Sequence, residues 1–148
     1  MKLEWEIKRF EELSSLELYK LLQLRSEVFI VEQNCVYQDI DDKDQKAVHL
    51  LGKRNSEIMA YARLFKAGDY FENAAIGRVV IGANYRENKW GNDLMREAIA
   101  GIESHFETTK ITISAQLYLQ KFYESHGFVV TSETYLEDAI PHIEMKHE

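Results

Sequence analysis

Residues 79–96 read VVIGANYRENKWGNDLMR. The stretch begins with an apolar run that is typical of a buried strand and stops at Gly82. An apolar helical pattern resumes after Gly91. Between them lies a short polar turn that places Arg86 and Lys89 close to that glycine. The stretch therefore predicts a strand, a tight turn and a long helix in direct succession.

The turn between this strand and this helix has the chemistry of an anion site. The first four N–H groups of a helix lack intrahelical partners and carry a partial positive charge, which together favour a bound phosphate. Gly91 allows the backbone to approach such a group closely, and Arg86 and Lys89 add charge at the rim. The same residues also fit an ordinary solvated loop, so the turn alone leaves both interpretations open.

Hydrophobic periodicity on both sides of this turn predicts the element order β-α-β-β-β-α-β-α-β-β. We expect strands at 3–7, 47–53, 57–65, 74–81, 110–115, 128–131 and 140–145, and helices from 15 to about 29, at 92–106 and at 116–126. The polar stretch 32–46 is predicted to be a loop. The central β-α-β-α-β run requires parallel neighbours, and the hairpins before it require antiparallel ones. The fold class is therefore α/β (α+β), with a mixed central sheet flanked by helices.

Length and composition favour one cytoplasmic domain. The 148 residues are 45% hydrophobic, which suits a single domain over residues 1–148 with a real core. No apolar run approaches the roughly 18 residues of a membrane span. The opening MKLEWEIKRF alternates apolar and charged residues, unlike a signal peptide. The single cysteine, Cys35, excludes an internal disulfide and suits a reducing compartment.

Charge and residue spacing exclude several classes of partner. A net charge of −7 argues against a general nucleic-acid binder and favours cationic partners such as amines. His49 has no second ligand at metal spacing, so we expect no metal. Cys35 has no His/Asp arrangement that would make it a nucleophile. We accordingly expect no nucleic acid and no membrane among the partners.

Two motifs give the chain a resemblance to a known family. Val79-Val80-Ile81, followed by Arg86 to Gly91 at the head of a long helix, resembles the V-x-V strand and Arg/Gln-x-x-Gly-x-Gly/Ala turn of the GNAT N-acetyltransferases. The segment AQLYLQKFYESHGF (115–128) resembles the second acetyl-CoA element of that family. LRSEVFIVEQNCVYQDID (24–41) and IPHIEM (140–145) resemble its ElaA-like subgroup, so the resemblance covers nearly the whole chain. Lys89 departs from the pattern, because it stands where most members have the first glycine.

The resemblance implies a GNAT-type acyl-CoA N-acyltransferase fold and acetyl-CoA as co-substrate. Backbone groups of Val79 and Ile81 would pair with the pantetheine arm, and an amide near Val79 and Val80 would stabilise the oxyanion. The thioester would enter through a splay between this strand and the next parallel one. The amides from 86 to 92 would hold the pyrophosphate. The cofactor-binding residues implied in this way are Val79, Val80, Ile81, Arg86, Glu87, Asn88, Lys89, Trp90, Gly91, Asn92, Gln116, Phe122 and Tyr123.

Three residues are candidates for proton transfer. Tyr123 matches the family tyrosine near the CoA sulfur and would donate a proton to the leaving thiolate, although helical spacing alone makes it a core aromatic. Glu32 and His142 are candidate bases that would deprotonate the amine. The alternatives are a surface carboxylate at a helix end for Glu32 and a solvent-facing strand histidine for His142.

Polar residues elsewhere allow two interpretations each. Asp39, Asp41 and Asp42 would attract a cationic substrate or form a solvated turn. Arg63 and Arg78, inside predicted strands, would pair with a substrate carboxylate or with this acidic loop, or would face water.

The resemblance predicts transfer of an acetyl group to a primary amine by direct reaction in a ternary complex. A non-catalytic CoA-binding regulatory module is the alternative, and a generic nucleotide binder is weaker because the chain lacks G-x-x-x-x-G-K-[ST] and G-x-G-x-x-G. Three classes of acceptor fit the sequence equally well: a small molecule, a polyamine and a peptide N-terminus. The resemblance also makes a homodimer an expectation, because members of the family often dimerise, although no sequence feature marks an interface.

Overall fold

The computed structural model describes residues 2–148, and the side chains of Glu87 and Asn88 lie outside that description. Its strands are β1 (Glu4–Arg9), β2 (Val48–Arg54), β3 (Glu57–Phe65), β4 (Ala74–Ile81), β5 (Ile111–Gln116), β6 (Val129–Val130), β7 (Tyr135–Glu137) and β8 (Ile140–His147). Its α-helices are α1 (Ser15–Arg25), α2 (Trp90–Phe106) and α3 (Gln120–Glu124). Short 3-10 turns occur at Phe10–Glu12, Asp44–Lys46, Ala83–Asn88 and Leu117–Leu119.

Within the described residues the eight strands form one mixed sheet. The order is β1-β2-β3-β4-β5-β8-β6, and β7 pairs with the first half of β8 while β6 pairs with the second. β4 and β5 are parallel neighbours, and the other paired strands run antiparallel. This confirms the predicted mixed α/β sheet, including the antiparallel hairpins at the front and the parallel step in the middle.

Helices cover both faces of the sheet because successive strand residues point to opposite sides. Leu50 joins the larger core under α2, whereas its neighbour Leu51 joins a second core under α1. The apolar stripe of α2 includes Leu94 and Ile102, both fully buried. Ser14 caps α1 through the predicted capping box with Glu17, which confirms where that helix begins. Packed helices therefore hold the sheet in place from both of its faces.

The chain continues beyond α1 as a π-helical segment over Ser26–Glu32. Its last turns are closed by bonds from the amide of Gln33 to the carbonyl of Val28 and from the amide of Cys35 to the carbonyl of Ile30. This confirms the predicted helical continuation to Phe29, and the observed segment extends beyond it to Glu32. The wider turn brings Glu32 and Gln33 to the edge of the sheet where β4 and β5 end.

Two elements near the carboxyl end differ from the sequence prediction. The expected helix at 116–126 is a 3-10 turn followed by the short α3, because Gln116 still belongs to β5 and pairs with His142. Gly127 ends α3 with φ of +91°, as predicted for a glycine stop. β7 was not predicted from the sequence, and it forms a hairpin with β8 across Asp138 and Ala139.

Candidate active site

A cleft opens in the sheet where β4 and β5 separate. In the described residues these two parallel strands pair at Ala74–Ile111 and Ala75–Thr112 and at no later position. On its other edge, β5 pairs with β8 along its full length. The gap encloses about 180 Å³ and is lined from β4, β5, α3, the β7–β8 hairpin and the π-helical segment. The splay that the resemblance implied is therefore present.

A bulge in β4 causes this separation. Tyr61 of β3 pairs with Val80, but Arg63 pairs with Gly77, so β4 carries one extra residue over the same distance. Arg78 and Val79 lie between these two pairs, opposite the single residue Ala62, and Arg78 has φ of +51°. A bulge bends its strand and increases its twist. From the bulge to Ile81, the edge of β4 on the β5 side consequently faces the cleft, while its other edge still pairs with β3.

The predicted acidic loop holds this bulge in place. Arg78 donates from Nε to Oδ1 of Asp39 at 2.7 Å, and Arg63 forms a two-pronged bond to Asp41 with both distances at 2.8 Å. Asp39 is nearly buried, and Arg63 and Arg78 point inward. Asp39 and Asp41 are therefore neither part of a solvated turn nor a free attractant for cations, because three arginines neutralise them, whereas Asp42 is exposed as a solvated turn requires. Arg25, which the sequence prediction did not single out, is the third.

The helix that follows the turn after β4, α2, begins in an unusual backbone conformation. Lys89, at the N-cap of α2, has φ of +59° and ψ of +31° and makes no capping hydrogen bond with its side chain. This left-handed conformation is the one that glycine adopts at least cost. Lys89 therefore departs from the expected pattern at a position where the backbone favours glycine. Gly91 is half-buried, and a Cβ built there would meet the Phe122 ring at 3.6 Å, an ordinary contact.

Arg86 and Glu32 lie at the rim of the cleft and bind each other. The Arg86 guanidinium donates to both carboxylate oxygens of Glu32, at 2.5 and 2.8 Å, and to the carbonyl of Ile81 at 3.2 Å. These hydrogen bonds lower the pKa of Glu32 and raise that of Arg86. The phosphate-rim candidate and one of the two base candidates are thus one half-exposed ion pair. Predictions for Glu87 and Asn88 fall on side chains outside the described structure.

Tyr123 forms part of the cleft wall. Its ring packs edge-on against Phe122, at 5.2 Å between centroids, and against Phe128, at 6.0 Å. Burial raises the pKa of its phenol, which therefore stays protonated at neutral pH. Among the described residues no protein group forms a hydrogen bond to this hydroxyl, and Tyr123 lines the cleft. Tyr123 is therefore a core aromatic that also lines the gap, and its role as proton donor stays a prediction.

Some of the remaining cofactor candidates line the same gap, and Asn92 lies outside its lining. Val79 and Ile81 line it from β4, and Gln116 lines it from β5, where its amide exchanges hydrogen bonds of 3.3 Å with Gln33. Asn92 accepts from Nε2 of His126 at 2.9 Å, which ties the start of α2 to the end of α3.

Two of these candidates contribute little side chain to the cleft. Trp90 is buried in the core, so its backbone is what the first turn of α2 presents. The side chain of Val80 is likewise packed in the core under α1.

His142 is buried rather than solvent-facing, with 6% of its surface exposed. Its Nδ1–H donates to the carbonyl of Ile140 at 2.7 Å, which leaves Nε2 as the proton acceptor of the neutral ring. The ring stacks on Tyr135 at 6.2 Å and lines the cleft. Tyr123 and His142, far apart in sequence, are therefore brought together on the walls of one gap.

Sequence reasoning missed the residues that β7 contributes. Tyr135 lies 2.5 Å from Oγ of Ser114 through its hydroxyl, and Glu137 accepts from the same Oγ at 3.1 Å. Glu137 and Asp138 line the cleft beside His142. The alternation YLE–DA–IPH was the available signal, but Asp-Ala is not a usual two-residue hairpin turn.

The chain belongs to the GNAT acetyltransferase family: residues 12–148 match its acetyltransferase (GNAT) domain. Membership indicates an acyl-CoA-dependent N-acyltransferase. Protein ElaA of Escherichia coli is 45% identical over 99% of this chain and 97% of its own length, which confirms the ElaA-like subgroup. A UPF0039 protein of Schizosaccharomyces pombe is 41% identical over the same shares of the two chains.

Solved structures agree with this assignment. The crystal structure of an acyl-CoA N-acyltransferase from Pseudomonas aeruginosa matches with a TM-score of 0.92 and 41% identity, over 99% of each chain. That of Escherichia coli ElaA matches with a TM-score of 0.91 and 44% identity, again over 99% of each chain. The GNAT-type fold is thereby confirmed.

The described part of the chain contains neither a metal-binding cluster nor a membrane-spanning helix. The described side chains contain no group of three or more His, Cys, Asp or Glu residues that could hold a metal ion. No helix in the same part of the chain has the length and apolar character needed to cross a membrane.

Proposed function

We propose that this protein transfers an acetyl group from acetyl-CoA to a primary amine, directly and within a ternary complex. The observation that carries the proposal is the unpaired edge of β4 after Ala75, in a cleft walled by Tyr123 and His142. An extended pantetheine arm matches such an edge, because it can hydrogen-bond to backbone groups as a strand does.

The donor site follows from the same strand and the helix after it. Val79 and Ile81 would bond the arm, and an amide near the bulge would stabilise the oxyanion that forms on attack. The pyrophosphate would lie on the amides at the start of α2, with Arg86 and Lys89 beside it.

The proton steps involve two walls of the cleft. An ammonium substrate first loses a proton to His142, whose Nε2 is the accepting atom. The amine nitrogen then attacks the acetyl carbon, the N–C bond forms and the C–S bond breaks. Tyr123 protonates the departing sulfur. The nitrogen then releases its second proton, which reprotonates the phenolate of Tyr123. Glu32 is the alternative base, disfavoured by its two bonds to Arg86, which lower its pKa.

A non-catalytic CoA-binding regulatory module is the alternative function. It would use the same donor site but would release no CoA when an amine is present. The geometry favours the enzyme, because a module of this kind needs neither a free phenol nor an accepting imidazole in the gap. The cytoplasm and a homodimer stay predictions of the sequence.

The experiment that tests the donor site is calorimetric titration of acetyl-CoA into the wild type, Gly91→Glu and Gly91→Gln. The two variants have the same size, and the observed space beside Phe122 accepts the first atom of either side chain. We expect tight binding by the wild type and the largest loss with Glu, because its carboxylate repels the pyrophosphate. Glutamate near a helix N-terminus is favourable for the free protein, so misfolding would not explain the loss.

Equal affinity of all three proteins would contradict the placement of the pyrophosphate at α2. Release of CoA from acetyl-CoA, followed with a thiol reagent in the presence of mixed primary amines, then separates enzyme from regulatory module. Binding without any amine-dependent release would favour the module.

A further inference from the structure

The charged side chains that line the cleft are not equally available. Arg78 and Arg86 line it, as do Glu137 and Asp138. Arg78 is paired with Asp39 and Asp41, which come from the loop behind the bulge. Arg86 is paired on both oxygens of Glu32. Each cation of the cleft thus already has its own carboxylate.

The two carboxylates of the β7–β8 hairpin have no such cation. Among the described side chains, no lysine or arginine lies within 4 Å of Glu137 or Asp138. Glu137 accepts one hydrogen bond from Ser114 and has its other oxygen 3.5 Å from Nε2 of His142. This side of the cleft therefore carries uncompensated negative charge, whereas the opposite side is neutral.

His142 lies on this side of the cleft and, as a neutral ring, offers Glu137 no hydrogen-bond donor. The imidazole is more than nine-tenths buried, and its one N–H is used on the carbonyl of Ile140. In the neutral ring that a base requires, Nε2 is a lone-pair acceptor that faces a carboxylate oxygen of Glu137. A protonated ring would pair with this oxygen at 3.5 Å, whereas with the neutral ring both atoms are acceptors, and a group that brings several N–H donors and a positive charge would satisfy both. An alkylammonium ion is such a group.

The reacting nitrogen alone does not explain two ionised carboxylates. It must lose its charge before it attacks, so a carboxylate that binds it as ammonium stabilises the ground state more than the transition state. A second ammonium on the same substrate keeps its charge throughout the reaction and is held equally in both states. The pair Glu137 and Asp138 therefore suits a substrate that carries a second cation at its far end.

We propose that Glu137 and Asp138 select the acceptor, and that the acceptor is an alkyl amine of diamine or polyamine type, with a second positive charge and no carboxylate. The inference rests on the proposed function, because it assigns the acceptor of the same cleft. It makes the β7–β8 hairpin the element that determines substrate specificity.

The test compares three acceptors that share one chain length and one reacting amine: 1,4-diaminobutane, 1-aminobutane and 4-aminobutanoate. CoA release gives kcat/KM for each with the wild type, Glu137→Gln, Asp138→Asn and the double variant. We expect the wild type to prefer the diamine to the monoamine by about tenfold and to disfavour the amino acid further. The double variant should bring the diamine-to-monoamine ratio close to one.

Glu133→Gln is the matched control, because it removes the same charge from an exposed residue of the same segment that does not line the cleft. Its selectivity should equal that of the wild type. Selectivity for the diamine that survives the double variant would overturn the inference, as would equal or faster turnover of 4-aminobutanoate. Acetyl-CoA binding with no turnover of any of the three amines would also overturn it, while leaving the donor site supported. Absence of both acetyl-CoA binding and CoA release would instead contradict the proposed function itself.

Discussion

Arg25 and Asp39 form an ion pair inside the protein, with 2.9 Å between Nε and Oδ2 and with no exposed surface on the arginine. Arg25 also donates to Asp44 at 2.8 Å, and Asp39 also accepts from Arg78 in the bulge of β4. One buried network therefore connects the end of α1 to the strand that forms the cleft.

We predict that Arg25→Met lowers the free energy of unfolding by about 3–5 kcal/mol, because it leaves a buried carboxylate without its partner. Urea unfolding at pH 7 measures the change. Arg96→Met is the control: it removes the exposed partner of Asp93 by the same substitution and should cost less than about 0.5 kcal/mol. Similar losses in the two variants would mean that the buried network adds nothing specific.

Acid should destabilise the protein through the same loop. Burial would raise the pKa of Asp41, but its hydrogen bonds from Arg63 outweigh this effect and lower it to about 2 from an ordinary value of 3.8. The folded state then binds fewer protons than the unfolded state between these values. Its contribution of about 2 kcal/mol is complete above roughly pH 5 and is lost as the pH falls towards 2.

Unfolding by urea at pH 7, 4 and 2.5 measures this loss. Asp41→Asn should start from lower stability at pH 7 and show a shallower decline with acid. A decline as steep as that of the wild type would assign the acid sensitivity to other carboxylates. Glu17 is the first of these, since burial raises its pKa but bonds from Lys53 and Lys8 lower it to about 2.

The phenol of Tyr123 should affect chemistry rather than binding. Tyr123→Phe removes an oxygen that no described protein group bonds, so the fold and the affinity for acetyl-CoA should change little. Loss of the proton donor should lower kcat by about 100-fold. Single-turnover kinetics and calorimetry on the same samples measure the two effects. Unchanged kcat would remove Tyr123 from the proposed mechanism.

Lys89 offers a test that separates strain from charge. Lys89→Gly and Lys89→Ala both remove the ammonium group, but only glycine adopts the left-handed conformation at φ of +59° without strain. We expect the glycine variant to be more stable than the alanine variant by about 1 kcal/mol in thermal or urea unfolding. Their acetyl-CoA affinities should fall together if the ammonium contacts phosphate. Equal stabilities would show that the backbone of this turn relaxes.

The repeating parts of the fold could be predicted from the sequence because each depends on local pattern. β3 and β4 lie where alternation placed them, and Ser14 and Glu17 begin α1 as a capping box requires. The turn at Asn55 and Ser56 joins β2 to β3 with positive φ at both residues. These features need no knowledge of distant residues.

The parts that failed depend on pairing across the chain. Asp39 and Asp41 resemble a solvated loop until the arginines of α1, β3 and β4 are placed beside them, at separations of 14 to 39 residues. β7 was missed because its turn uses Ala139 at φ of +64°, a conformation that alanine rarely adopts. His142 has no sequence signal of burial. The separation of β4 and β5 was therefore predicted where a motif exists, and the part of the cleft that β7 forms was missed, while the roles of the lining residues stay predictions.

The separation of β4 from β5 has a consequence for stability. These strands share two residue pairs, so part of the sheet lacks the hydrogen bonds that a full neighbour would supply. A donor molecule that lies along this edge acts as the missing length of strand and binds the folded chain alone. At a concentration 100 times its Kd such a ligand adds about 2.7 kcal/mol to the free energy of unfolding. If the donor binds as proposed, the chain in a cell rich in that donor is then more stable against unfolding than the purified chain.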